Sequence, residues 1–177
     1  MSTTAIARRK ARRMYPRQRG VQHISERKRC IPPEYLEAIG VQALLRCAPH
    51  AQAALVMPLQ WRGGLRGSEA LALEVADISL DGERPTLRVR HGKGNKSRLV
   101  PVPPELRAAL HTAVAYGGRK GRLVEATRST AWRWVQEAHT RAVELGAVPL
   151  GQRVDTDTLR HSAARHWLAS GIPINVV

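Results

Sequence analysis

The uneven spread of basic residues most constrains what this chain can fold into. Residues 1–29 contain ten Lys or Arg and a single acid, so they hold a net charge of +9 out of +15 for the whole chain. A segment with so much charge and so little apolar material cannot bury enough surface to fold alone. We therefore predict a flexible basic arm over residues 1–30, with Arg12 and Arg13 lying along a phosphate backbone, and one folded domain over residues 31–177. A targeting peptide or a solubilising tail is the alternative.

The overall composition narrows the class of protein. With 177 residues, 43% of them hydrophobic, the chain is long enough for one domain with its own core. The excess of basic over acidic residues attracts polyanions, and nucleic acid is the usual one; a solvated basic surface without a dedicated partner is the alternative. Cys30 and Cys47 form no CxxC motif, and no apolar run is long enough to cross a bilayer. We expect no metal, no small-molecule cofactor, no membrane contact and a cytoplasmic, nucleoid-associated location.

Apolar periodicity predicts an α+β fold that is mainly α, with a small antiparallel β-sheet. The two strands expected for the sheet form a β-hairpin, because Thr86–Arg90 and Arg98–Val102 alternate apolar and polar residues around a glycine-rich turn. Helices are predicted over Glu34–Cys47, over His50–Gln60, over Ser68–Val75, from Pro103-Pro104, from a cap at Ser129 or Thr130, and over Thr158–Ser170 with Gly171 as the residue that ends it. The residues after Gly171 resemble the first turn of another helix, so we expect the chain to stop partway through an element.

The segment Gly64-Leu65-Arg66-Gly67-Ser68-Glu69 places an arginine at a turn beside a helix start. Arg66 can there present its guanidinium to a phosphate through two parallel hydrogen bonds. Glu69, three residues later, can brace the guanidinium from behind. Taken alone, this segment favours the alternative of a local Arg66–Glu69 ion pair on the surface.

The segment His91-Gly92-Lys93-Gly94-Asn95-Lys96-Ser97-Arg98 occupies the tip of the predicted hairpin. Its small residues allow a sharp turn and a close approach to a ligand. Lys93 would enter a DNA groove and can donate a proton to a leaving oxygen, with Lys96 and Arg98 as further DNA contacts. The spacing does not match the GxxxxGK[ST] motif of a phosphate-binding loop. A solvated basic hairpin is the alternative.

The segment Asp157-Thr158-Leu159-Arg160-His161-Ser162 opens the last predicted helix. Arg160 adds its guanidinium to the positive end of the helix dipole, which favours a bound phosphate, and His161 is a further DNA contact beside it. His161 and His166 are five residues apart with no Glu between them, so they do not match the HExxH zinc motif. We interpret His166 as a structural histidine.

The order and separation of these three segments resemble the tyrosine recombinase (phage integrase) family, from about Ile31 to Val177. The resemblance implies a helical catalytic domain of the DNA breaking-rejoining type, with double-stranded DNA and other recombinase protomers as partners. It also implies roles for four residues: two catalytic arginines, a hairpin lysine and an acidic brace, which are Arg66, Arg160, Lys93 and Glu69. In that family a tyrosine attacks the scissile phosphate, leaving a 3′-phosphotyrosyl link and a free 5′-hydroxyl.

The sequence departs from the family pattern in two places. Asp157 stands where the family usually has a catalytic His, three residues before the second arginine. An ionised carboxylate ~4 Å from the phosphate would oppose it by about 4 kcal/mol at an effective dielectric near 20. The nucleophilic tyrosine is expected beyond Ile172, whereas the tyrosines of this chain are Tyr15, Tyr35 and Tyr116.

These departures lead to one main hypothesis and two alternatives. We expect a truncated family member that binds DNA in site-specific recombination or integration and does not cleave it alone. The first alternative is an active recombinase subunit that uses a tyrosine supplied in trans by a partner. The second is a basic, non-enzymatic nucleic-acid-binding module whose likeness to the family is accidental.

Overall fold

A computed structural model describes residues 34–92, 96–117 and 120–173 of the chain. Three of the predictions above lie outside these residues: the basic arm with Arg12 and Arg13, the hairpin lysine Lys93, and the turn expected at the end of the chain.

The elements follow one another in the order α1 (Ala38–Arg46), α2 (Ala51–Trp61), α3 (Gly67–Ala72), a 3-10 turn (Val75–Asp77), β1 (Ile78–Ser79), β2 (Thr86–Val89), β3 (Arg98–Pro101), α4 (Pro104–Gly117), α5 (Arg128–Glu144) and α6 (Thr158–Ala169). This confirms a mainly helical α+β fold with a small antiparallel sheet. Among the described residues, no helix combines the length and apolar character needed to cross a bilayer.

The sheet has the strand order β1-β2-β3 and is antiparallel throughout. The predicted hairpin is present, with Leu87 opposite Val100 and Val89 opposite Arg98. The edge strand β1, which pairs Ile78 with Leu87, was not predicted. Its two residues are too few to show the alternation by which a strand is recognised in a sequence.

Helix α2 lies between two hydrophobic clusters and contributes to both. Leu55 and Leu59 belong to the cluster that covers the sheet, α3 and α4, whereas Met57 and Trp61 belong to the cluster formed with α1, α5 and α6. A helix that is apolar on all sides is expected to be buried on all sides. The turn that follows α2 therefore starts from the centre of the fold and is well placed to carry a rigid site.

Two helix boundaries differ from the predictions by three residues or more. Helix α1 begins at Ala38 rather than Glu34, because Glu37 is extended, with a ψ of 158°; the amide of Leu36 donates to the Ser162 hydroxyl at 2.8 Å. Helix α3 ends at Ala72 rather than Val75, because Leu73 is extended, with a ψ of 131°, and the amide of Val75 donates to the Gly121 carbonyl at 3.0 Å instead of to a carbonyl one turn earlier.

Helix α5 is capped by a different residue from the two that the sequence suggested. The Thr127 hydroxyl accepts the amide of Thr130 at 3.1 Å, so Thr127 is the N-cap and Ser129 lies inside the first turn. All three are good capping residues, and the path of the chain into the helix decides among them. At the other end of the domain, Gly171 follows α6 with a φ of 83°, as its predicted role requires.

Candidate functional site

The turn between α2 and α3 fixes the position of Arg66. Gly64 in this turn has a φ of 60°, and a Cβ there would lie 2.5 Å from Cη2 of Trp167 on α6. The Gly64 carbonyl accepts a hydrogen bond from Nη1 of Arg160, also on α6. The helix start that bears Arg160 is thereby joined to the turn that bears Arg66.

Glu69 is a buried carboxylate that both Arg66 and Arg98 hold. Its Oε2 accepts the backbone N–H of Arg66 at 2.9 Å, and its Oε1 accepts Nη1 of Arg66 at 3.1 Å. Arg98 adds two parallel bonds, from Nη1 to Oε1 at 2.9 Å and from Nη2 to Oε2 at 2.7 Å. The Glu69 side chain is 3% exposed and that of Arg66 is 40% exposed, so the carboxylate lies behind a guanidinium that still reaches solvent.

The surroundings of Glu69 keep it ionised. Burial by itself raises the pKa of this carboxyl group, but hydrogen bonds from Arg98 and from the Arg66 backbone, together with the charge of Arg98, outweigh burial and lower the pKa to about 2. The same pairing raises the pKa of Arg98. The three side chains are therefore a fixed group of two cations around one anion.

A pocket of about 270 Å³ brings several of the predicted site residues together. It is lined by Arg66, Gly67, Ser68, Arg128, Thr156, Asp157, Arg160 and His161. Three guanidinium groups, one carboxylate and two hydroxyls at a single opening suit an anion with several oxygens, because guanidinium groups bind such oxygens through paired hydrogen bonds. This arrangement can hold a phosphate group.

The charges at this pocket are not balanced. The pKa of Arg160 is lowered, first by burial and then by the positive charge of Arg66, while the carboxylates of Glu69 and Asp157 act in the opposite direction. Arginine keeps its proton in spite of such a shift. The cations thus crowd one another, and a bound anion would relieve that repulsion.

Two neighbouring carboxylates at the start of α6 have different tasks. Asp155 Oδ1 accepts the backbone N–H groups of Asp157 and Thr158, both at 2.8 Å, and so caps the helix. Asp157 makes no capping hydrogen bond with its side chain, and it lines the pocket. Asp155 thus takes the amides of Asp157 and Thr158, and the predicted contribution of the helix dipole beside Arg160 stays a prediction.

The predicted residues of the hairpin are placed differently from those of the pocket. Arg98 is among the predicted DNA contacts, yet both of its terminal nitrogens bind Glu69, and it is absent from the lining of the pocket. Lys96 is exposed, and its carbonyl accepts the amide of Gly92 at 3.0 Å. Lys93, which lies between Gly92 and Lys96 in the sequence, is outside the described part of the chain.

Sequence reasoning missed Arg128, the first residue of α5. It lines the pocket although it lies in none of the three motifs. The available signal was an arginine at the start of a helix, where the dipole favours an anion and gives a cation no local stabilisation. His166 was interpreted as structural, and its ring centroid lies 5.2 Å from that of the buried Trp61.

Comparisons with known proteins agree on the family. The family model described as "Phage integrase family" matches residues 34–177. A resolvase of Escherichia coli is 33% identical over 175 residues, which cover 82% of this chain and 67% of the resolvase. A tyrosine recombinase of Thermosipho africanus is 36% identical, with 67% of this chain and 41% of the relative covered. The tyrosine recombinase XerD of Mycobacterium tuberculosis is 35% identical, with 69% and 41% covered.

Solved structures show the same fold. The crystal structure of XerA recombinase matches with a TM-score of 0.66 at 22% identity, covering 85% of this chain and 55% of that one. The catalytic domain of bacteriophage HP1 integrase matches with a TM-score of 0.60 at 23% identity, covering 82% and 77%. A pre-cleavage complex of XerH recombinase with its difH substrate has a TM-score of 0.65 and covers 81% and 45%. The chain spans between about two fifths and two thirds of the curated relatives it matches, and it belongs to the phage integrase (tyrosine recombinase) family.

Proposed function

We propose that this chain binds double-stranded DNA in site-specific recombination or integration, by holding one backbone phosphate between Arg66 and Arg160. The observation that carries the proposal is the pocket in which these two arginines meet Arg128, with a surplus of positive charge. The XerH structures, which have the same fold, contain difH substrate DNA. Counterion release by the arginines would make the binding depend on salt.

In the proposed chemistry the arginines stabilise charge on a phosphate whose phosphorus becomes five-coordinate. Arg66 is oriented for this by Glu69, and Arg160 by the Gly64 carbonyl. Preorganised donors of this kind each contribute roughly 10²–10³ in rate. Lys93, which follows Gly92 directly in the sequence, is the proposed proton donor to the leaving oxygen.

We further propose that the chain cleaves DNA poorly on its own. Asp157 brings a carboxylate to the pocket, where its charge reaches Arg160 and would oppose the charge that develops on the phosphate. No tyrosine is among the residues that line the pocket, and the described Tyr35 has its ring 4.1 Å from Cζ of Arg165. The attacking hydroxyl would come from outside the described residues or from another chain.

The binding part is tested by titrating the protein with labelled duplex DNA at several salt concentrations. Arg66→Gln and Arg160→Gln should each weaken binding by about tenfold and reduce the salt slope by about one. Arg84→Gln, in an exposed loop away from the pocket, is the matched control and should change the affinity by less than about twofold. Equal losses for all three variants would favour the non-enzymatic basic module and overturn the proposal.

The cleavage part is tested with a nicked suicide substrate. We expect no covalent protein–DNA adduct from the protein alone. A phosphotyrosyl adduct would overturn the inference of poor cleavage and leave the phosphate-binding proposal intact. If an adduct forms only after mixing with a family member that retains its tyrosine but carries a substitution at its own first arginine, the tyrosine acts in trans.

A further inference from the structure

The Glu69 carboxylate joins two parts of the fold that are distant in the sequence. Each of its oxygens accepts one N–H from Arg66, at the start of α3, and one from Arg98, at the start of β3. The Arg98 contact is a bidentate, fork-to-carboxylate pair, which defines orientation as well as distance. Arg98 therefore limits where the carboxylate can sit, and the carboxylate limits where Arg66 can point.

The backbone next to β3 leaves space for this pair. A Cβ at Gly92 would lie 2.9 Å from Nη1 of Arg98 and 3.7 Å from Oε1 of Glu69. The amide of Gly92 donates to the Lys96 carbonyl at 3.0 Å and so closes the neck of the loop between β2 and β3. The neck of the loop that contains Lys93 thus rests against the Arg98–Glu69 pair.

We propose that Arg98 is a positioning residue that acts through Glu69, orienting Arg66 and fastening the neck of the β2–β3 loop to the start of α3. Its contribution to DNA binding is indirect, although the sequence suggested a direct contact. The inference rests on the proposed function in one respect, namely that the oriented Arg66 is the group that holds the phosphate.

Charge and location both favour this indirect role. Arg66, Glu69 and Arg98 together carry a net charge of +1. Without Arg98, the charges of Arg66 and Glu69 would cancel, and the positive charge beside the phosphate pocket would be smaller. Arg98 is not part of the lining of that pocket, whereas Arg66 is. The two terminal nitrogens that could grip a phosphate side-on are turned to Glu69 instead.

A double-mutant cycle separates the indirect role from a direct contact. Arg98→Gln in the full chain should lower the affinity for duplex DNA by about tenfold, the scale of a charge-assisted hydrogen bond. In a Glu69→Gln background the same substitution should change the affinity by less than about twofold and leave the salt slope unaltered. The same loss in both backgrounds, with a smaller salt slope, would show a direct DNA contact and overturn the proposal.

Arg98→Lys keeps the positive charge and removes the paired nitrogens of the guanidinium. It replaces Arg98→Gln in the experiment if that variant fails to fold. The positioning role expects it to lose affinity nearly as much as Arg98→Gln does, since a lysine cannot reproduce the bidentate geometry. Wild-type affinity in Arg98→Lys would show that charge alone is sufficient and would overturn the positioning role. Thermal unfolding of each variant verifies that the comparison is made between folded proteins.

An NMR titration of the Glu69 carboxyl carbon tests the same idea without DNA. In the wild type this group should remain ionised between pH 7 and pH 3, and in a folded Arg98 variant it should protonate within that range. An unchanged titration would overturn the positioning role. Failure of the wild type to bind any DNA would count against the proposed function, and the titration would still decide what Arg98 does.

Discussion

The guanidinium of Arg160 donates a hydrogen bond to the backbone carbonyl of Gly64, so helix α6 and the turn before α3 hold each other. Trp167, two turns further along α6, packs where a side chain at Gly64 would lie. Because Arg66 comes two residues after Gly64, this contact sets the separation of the two pocket arginines. The positions of Arg66 and Arg160 therefore depend on a glycine that is not among the residues lining the pocket.

Replacing Gly64 by Ala should destabilise the domain and weaken DNA binding together. The φ of 60° is strained for any L side chain, and the new Cβ would lie 2.5 Å from Trp167. We expect a loss of about 2–4 kcal/mol in the free energy of unfolding, measured by urea denaturation. Gly82→Ala is the matched control, because its φ is 84° with nothing within 4 Å of the added Cβ, and it should lose only about 1 kcal/mol. Equal losses would show that the contact with Trp167 has no energetic weight.

Glu69 should make the stability of the domain depend on pH in the acid range. Its pKa in the folded state is lowered to about 2 from 4.5, so its contribution is complete above about pH 5 and is lost as the pH falls toward 2. The shift corresponds to about 3 kcal/mol. The difference in unfolding free energy between wild type and Glu69→Gln should therefore be constant from pH 7 to pH 5 and shrink below it.

The control for that titration is Glu137→Gln. Glu137 accepts Nη2 of Arg141 at 2.6 Å on the surface of α5, and both side chains are close to half exposed. Solvent screens such pairs, so the substitution should cost less than about 0.5 kcal/mol at any pH. A pH dependence as large as that of Glu69→Gln would indicate a general acid effect rather than the buried carboxylate.

Removing the charge of Asp157 should strengthen DNA binding. At ~8 Å and an effective dielectric near 20, the repulsion between this carboxylate and a bound phosphate is about 2 kcal/mol before salt screening. We expect Asp157→Asn to raise the affinity by about tenfold in 0.1 M salt, measured by fluorescence anisotropy, with Asp81→Asn in an exposed turn as the control. An unchanged affinity would mean that the Asp157 charge does not reach the bound phosphate.

Asp155, two residues earlier, should respond differently from Asp157. Its carboxylate caps α6 by accepting two backbone amides. Asp155→Ala should therefore lower the free energy of unfolding by about 1 kcal/mol, the usual cost of a lost N-cap. Asp157→Asn should leave stability nearly unchanged, and the reverse order of the two effects would contradict the division of tasks between these carboxylates.

Arg128 should behave as a third phosphate-binding arginine. It lines the pocket from the first turn of α5, so Arg128→Gln should weaken DNA binding by about tenfold and reduce the salt slope by about one. Arg133→Gln removes an equal charge from an exposed position five residues along the same helix, outside the pocket. If both substitutions had the same effect, Arg128 would act only through the general field of the protein.

Residue identity and local pattern were enough to predict much of the fold. Helical periodicity located the helix that became α4, and alternation located the hairpin of β2 and β3. These signals depend on near neighbours, which a sequence displays directly. The two-residue strand β1 and the choice of Thr127 as a cap escaped prediction, because each depends on where a distant segment passes.

The sequence by itself determined which side chains are available and predicted their roles: Arg66 and Arg160 as the two arginines, Glu69 three residues after the first, and Asp157 where the family pattern predicts a histidine. Only the tertiary structure decided how these groups are used. It turned Arg98 toward Glu69, brought Arg128 to the pocket and gave the cap of α6 to Asp155. The physical reason is that hydrogen-bond partners and pocket neighbours are set by the packing of α6 against the turn after α2, which joins residues almost a hundred positions apart.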